Sequence, residues 1–210
     1  ALLAGILAQA LLGAVTVLTG LNPVTVMAHF LLSMVLIAVA TEAYARTSTG
    51  PADPPAPAPL RLLTGLLTAA TAGTLALGTV VTGTGPHSGD KNATDRLPFS
   101  LETVAQLHAD AVFLVLGLTV GTLLAARATD SVRVARGTAT LLGVLVAQGA
   151  VGYVQYVTDL PVVLVLVHVL GACLVWVATV RVHLAARGAA PVSRGSSAGT
   201  RSAPAWAAAR

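Results

Sequence analysis

The chain has 210 residues, 55% hydrophobic and 10% charged, with a mean hydropathy of +0.83. Soluble domains carry about a quarter charged residues, so this composition excludes one and describes an all-α polytopic membrane protein. The formal charge of +4 does not point to nucleic acid, because the basic residues are scattered over short connections and a C-terminal tail.

Six apolar segments of spanning or near-spanning length follow in order, at about 1–19, 23–45, 60–83, 100–126, 132–157 and 160–186. The first is short, starts at Ala1 and has no basic region before it, so the natural N-terminus is expected upstream. The stretch STGPADPPAPAP, within a linker at 46–59, cannot continue a helix and is expected to be a flexible connection. Residues 188–210 lack apolar periodicity and are expected to be a disordered tail. Ten basic residues fall on one side: Arg46, Arg61, Arg127, Arg133, Arg136, Arg181, Arg187, Arg194, Arg201 and Arg210. Only Lys91 and Arg96 lie on the other. The richer side is therefore expected to be cytoplasmic, with the C-terminus, in a cell (plasma) membrane protein whose immediate partner is the lipid bilayer. Connections near Gly20 to Pro23 and Thr158 to Pro161 are short enough to be tight turns between antiparallel helices, whereas Gly83 to Phe99 is a long outer loop.

An internal repeat organises the chain. Residues 3–31 align without a gap on residues 142–170, pairing Gln9 with Gln148, Gly13 with Gly152, Leu21 with Leu160 and His29 with His168. Segments one and two thus correspond to segments five and six. The repeating unit would be four helices, complete in residues 60–187, with residues 1–45 the last two helices of an N-terminal bundle. Two further helices, with a histidine partner for His29, are expected before Ala1.

His29, His108 and His168 each lie six to eight residues into an apolar run entering from the same side, roughly 10 Å deep at about 1.5 Å per residue. Ionisable residues at such depth are functional candidates. His108 and His168 sit on alternate helices of the complete bundle, where two imidazoles at one level can supply both axial ligands of a haem iron. The plainer alternative is that each histidine hydrogen-bonds a neighbouring polar group. Leu101, Val104, Val112 and Val115 share the helical face of His108 and give an apolar wall that suits either reading.

Glu102, Gln106 and Asp110 form one stripe, and Asp110 requires a partner, for which Gln148 and Tyr153 are candidates. Gly117 and Gly121 read as a small-xxx-small pair for close helix approach, with Gly13, Gly149 and Gly152 as similar candidates. His87 reads as a loop histidine and His183 as interfacial. Lys91 and Arg96 are candidates either for holding haem propionates or for anchoring the loop. The single Cys173 lies in an apolar run, which leaves no intrachain disulfide and no cysteine-ligated zinc or iron-sulfur centre.

The stretches QALLGAVTVLTGLNPVTVMAHFLLSM, GTVVTGTGPHSGD, ETVAQLHADAVFLVLGL and QGAVGYVQYVTDLPVVLVLVHVLGA together resemble the haem A synthase family, in its actinobacterial branch, from about residue 3 to 186. The resemblance implies two pseudosymmetric four-helix bundles. It implies an oxidoreductase that converts a methyl group of haem O, the substrate, into the formyl group of haem A, the product. By the same resemblance His108 and His168 bind cofactor haem b, and His29 belongs to the bundle where the substrate haem reacts. Implied partners are a haem O synthase, a terminal oxidase, an electron acceptor of unstated identity and a second copy of the chain. The family's first two helices and its catalytic glutamate have no counterpart here, which puts activity of this chain alone in question. The outer loop also lacks the cysteine pair of some members. Rival readings are a di-haem b-type electron-transfer cytochrome, an oxidase assembly subunit and a transporter built on repeats.

Overall fold

The computed structural model describes residues 2–47, 54–86 and 95–188. Six helices account for most of these: α1 (Leu2–Leu18), α2 (Pro23–Arg46), α3 (Ala58–Thr84), α4 (Leu101–Ala128), α5 (Val132–Val157) and α6 (Val162–Arg187). Among the described residues there is no strand. Helices α2 to α6 are long and apolar enough to cross a membrane, while α1, at 17 residues, is a shorter apolar helix. The chain is a polytopic all-α membrane protein, and the boundaries read from hydropathy hold to within a few residues. His87, Lys91 and the tail 189–210 lie outside the described residues, as do residues 48–53 of the Pro-rich linker. The linker's last residues are held in place: Ala56 is buried and its N–H donates to Ala186 O at 2.9 Å, at the end of α6.

Turn chemistry sets where the helices stop. Gly20 and Leu21 both have positive φ, and so do Asp159 and Leu160, the positions 139 residues further on. Leu21 N–H closes on Thr16 O at 2.9 Å and Leu160 N–H on Gln155 O at 2.7 Å, again equivalent pairs. The sequence repeat is therefore a repeat of backbone conformation. Glycine adopts this left-handed region freely, whereas an aspartate or leucine there is held by the turn around it. The next helix starts on Pro23, where Asn22 Oδ1 accepts from Val24 N–H at 3.0 Å.

Helices α3, α4, α5 and α6 pack each on the next, and α6 returns against α3, closing a four-helix ring. Helix α2 lies in the groove between α3 and α6, and α1 packs on α2 alone. The ring is packed unevenly along its length. Leu60, Leu67, Leu141, Val182 and Ala186 are at most 2% exposed, and all lie toward the arginine-rich end. Thr64, Thr119, Thr122 and Thr138 are fully buried with them. Thr119, Thr122 and Thr138 satisfy their hydroxyls on the carbonyl four residues earlier, at 2.7 to 2.8 Å, so they pack as small residues at no polar cost. Toward the histidine end the ring opens.

The groove helix is tied in at mid-depth. Met34, Trp176 and Val180 form a buried cluster, and Trp176 Nε1–H donates to Met34 O at 2.7 Å. A buried indole N–H needs an acceptor, and here it is a backbone carbonyl of the facing helix.

Candidate functional site

His29 lies six residues after the start of α2, His108 seven after the start of α4 and His168 six after the start of α6. Each is half-buried, and each is the second-helix residue of its own hairpin. Behind each stands a glycine of the first helix. A Cβ placed at Gly13 would lie 3.2 Å from His29 Cε1; one at Gly78, 3.2 Å from His108 Cε1; one at Gly152, 2.9 Å from His168 Cε1. The imidazoles occupy the space a side chain would take, and this is the close approach that requires glycine. In all three rings the Nδ1 atom is buried without a hydrogen-bond partner.

His108 and His168 line the same two cavities, together with Leu75 and Ala172. The larger, of about 210 Å³, lies between the ring and α2 and is closed on that side by Pro23, Met27 and Phe30. The smaller, of about 70 Å³, runs into the ring toward Val112, Val115 and Leu145. Val112 and Val115 were expected on this wall from their spacing to His108; Met27 and Phe30, from outside the ring, were not. No side chain hydrogen-bonds to His108 or His168 among the described residues, and the Thr74 backbone lies beside His108. These two imidazoles, on the larger cavity, whose lining is otherwise apolar or threonine, are the residues that could hold a metal-centred cofactor. Among the described residues no group of three or more His, Cys, Asp or Glu side chains is clustered for a bare metal ion.

Polar residues near the histidines sort differently from the sequence reading. Gln148 does not meet Asp110: its Nε2 donates to His168 O at 2.7 Å. Asp110 instead accepts from Gln106 Nε2, one turn earlier on its own helix, at 2.8 Å, and Tyr153 is largely exposed. Gln9, the repeat partner of Gln148, donates to His29 O at 3.0 Å and also reaches His29 Nε2 at 3.1 Å. His183, near the arginine-rich end of α6, has its Nδ1 3.2 Å from the fully buried Thr64 hydroxyl. Arg96 donates to Pro86 O at 3.3 Å and to Asp95 O at 2.8 Å. Cys173 is a half-buried free thiol beside the Trp176 cluster.

Gly117 and Gly121 do not mediate close helix approach: a Cβ at either would meet nothing within 4 Å, nor would one at Gly149. Gly13 and Gly152 do permit close approach, but to an imidazole rather than to a helix backbone. Gly78 escaped the sequence reading. The signal was present in the spacing, because Gln9, Thr74 and Gln148 each stand four residues before the glycine of their hairpin.

Residues 1–88 match the model of the COX15-CtaA family, described as cytochrome oxidase assembly protein. The match spans α1, α2 and α3 and so takes in His29, Gly13 and Gly78. It agrees with the family resemblance drawn from the sequence motifs. No curated protein and no solved structure matches the chain.

Proposed function

We propose that the protein is a haem A synthase, an oxidoreductase that converts a methyl group of haem O into the formyl group of haem A, with a haem b held by His108 and His168. The observation that carries this reading is the pairing of two imidazoles, neither engaged by another side chain, on one apolar cavity. An iron porphyrin suits that donor set, since neutral imidazoles are its usual axial ligands and its macrocycle needs an apolar slot. Haem iron, when bound, supplies the one-electron chemistry that oxidation of an unactivated methyl demands.

The chain's own contribution is positional. Gly78 and Gly152 let the two rings sit deep in their hairpins, and the packed stem below fixes α4 and α6 relative to each other. Pro23, Met27 and Phe30 close the cavity toward α2 and keep water from it. His29, on the hairpin that flanks this wall, is the residue on the substrate side. The arginine-rich end faces the cytoplasm of a cell-membrane protein, so both histidine levels lie near the outer leaflet. A haem O synthase, a terminal oxidase, an electron acceptor and a second copy of the chain are the partners this role calls for.

The test is conversion. The protein is expressed in a host that makes haem O but no haem A, and membrane haems are extracted and separated by chromatography. Hydroxylated haem O and haem A appearing only with the protein, and absent with His29→Ala, is the expected result. Bound haem b with no conversion of haem O would contradict synthase activity and favour the electron-transfer cytochrome.

A further inference from the structure

A cavity of about 320 Å³ lies at the arginine-rich end, where α4 gives way to α5. It shares no residue with the two cavities lined by His108 and His168. Four of its lining residues are apolar, Ala126, Val132, Ala135 and Ala139, and three are charged, Arg127, Asp130 and Arg136. The arginines at this end differ in what they hold. Arg46 pairs with Glu42, and Arg61 donates to Ala56 O at 3.4 Å. Among the described residues the Arg127 and Arg136 side chains make no hydrogen bond and no ion pair, with Asp130 or with any other group. Two guanidinium groups on one concavity repel each other, and an anion between them turns that repulsion into attraction. The depth is that of lipid phosphate. Helix α4 has 28 residues and is therefore about 42 Å long, enough to cross the hydrocarbon core and both headgroup layers, so Arg127 in its last turn lies among headgroups.

We propose that this cavity binds the headgroup of an anionic phospholipid, with its phosphate between Arg127 and Arg136 and the start of its acyl chains on Ala135 and Ala139. A guanidinium fork matches the oxygens of a phosphate, and basic pockets between membrane helices take such headgroups. Free phosphate shares that chemistry but has nothing to set against the alanines. A lipid does, because its chains leave the phosphate toward the hydrocarbon. Asp130 sets the charge: two arginines less one aspartate leave the lining with one positive charge, which a single phosphodiester neutralises. The same carboxylate accepts a hydrogen bond from a headgroup hydroxyl. Phosphatidylglycerol offers both features. Phosphatidylcholine is neutral overall and its headgroup has no hydrogen-bond donor. The site is remote from the histidines, so the inference does not depend on bound haem.

The test counts bound lipid. The whole chain is purified in detergent, stripped of lipid and mixed with micelles doped with phosphatidylglycerol or phosphatidylcholine, and adducts are read by native mass spectrometry. One phosphatidylglycerol should bind per chain, and an equal concentration of phosphatidylcholine should displace none of it. Arg127→Gln and Arg136→Gln should each weaken binding about fivefold, the worth of one arginine beside an anionic headgroup. Ala139→Phe keeps both charges but fills the cavity and should weaken binding too, which separates a shaped site from diffuse attraction. Arg46→Gln removes a charge from the same end, away from the cavity, and should change nothing. All four side chains are exposed, so each variant should keep its helical circular dichroism. Equal binding of the two lipids, loss of binding in Arg46→Gln, or full binding in the Arg127→Gln, Arg136→Gln double variant would overturn the proposal. Displacement of the lipid by inorganic phosphate at equal concentration would make this a free-phosphate site and overturn the lipid as its occupant.

Discussion

At the scale of single residues, the three histidines owe their placement to what is missing opposite them. A half-buried imidazole fills the notch left by a glycine, and the notch recurs at Gly13, Gly78 and Gly152. Gly152→Ala puts a methyl 2.9 Å from His168 Cε1 and must turn the ring or part the helices. We expect that variant to lose or shift the haem spectrum while its far-UV circular dichroism stays helical. Gly117→Ala and Gly121→Ala meet nothing, and each should leave the spectrum unchanged and raise stability by up to about 1 kcal/mol through helix propensity. The equality of those glycines in the sequence is what hid the difference. Spacing shows that two small residues share a face, but only the neighbouring helix shows what the face meets. The same holds for Asp110, whose partner Gln106 was on the stripe already drawn, while the distant candidates Gln148 and Tyr153 point elsewhere.

At the scale of elements, the hairpin is the unit that recurs. Equivalent positive-φ residues close α1 and α5, and equivalent histidines follow in α2 and α6. This much was legible because aligned letters carry aligned backbone. The kinship of α3 with α1 and α5 was not, since Thr74 replaces glutamine and the long outer loop changes the distance from glycine to histidine. How α2 meets the ring was also hidden, because an apolar helix in a membrane protein does not reveal from its own pattern which apolar face touches protein and which touches lipid. The bond from Trp176 to Met34 O answers that question. Trp176→Phe keeps most of the buried ring and removes the donor, and should cost about 0.5–1.5 kcal/mol in a thermal or denaturant assay in detergent. Loss of the hairpin's hold on the ring should then appear as faster proteolysis in the 48–57 connection, with the spectrum of the bundle haem retained.

At the scale of the molecule, a tightly packed stem at the arginine-rich end carries an open ring at the histidine end. Leu67, Leu141 and Thr138 are excluded from solvent in the stem, while His108 and His168 look onto shared cavities above it. The fold class was readable from composition and segment length alone, because a bilayer permits few architectures. That His108 and His168 come together was readable too, as polar residues in apolar helices are few and stand out. Its shape was not, because the cavity's outer wall comes from α2, a helix outside the ring. Thus the COX15-CtaA match over residues 1–88 and the histidine pair beyond it meet at one cavity.

The most direct test of the account is the reduced-minus-oxidised spectrum of the purified chain, compared with those of its His108→Ala, His168→Ala and His29→Ala variants. The account predicts a low-spin b-type haem with His108 and His168 present, its loss in either of those variants and its survival in His29→Ala. A low-spin spectrum that persists without His108 or without His168 would contradict the ligand assignment and the cavity's role with it.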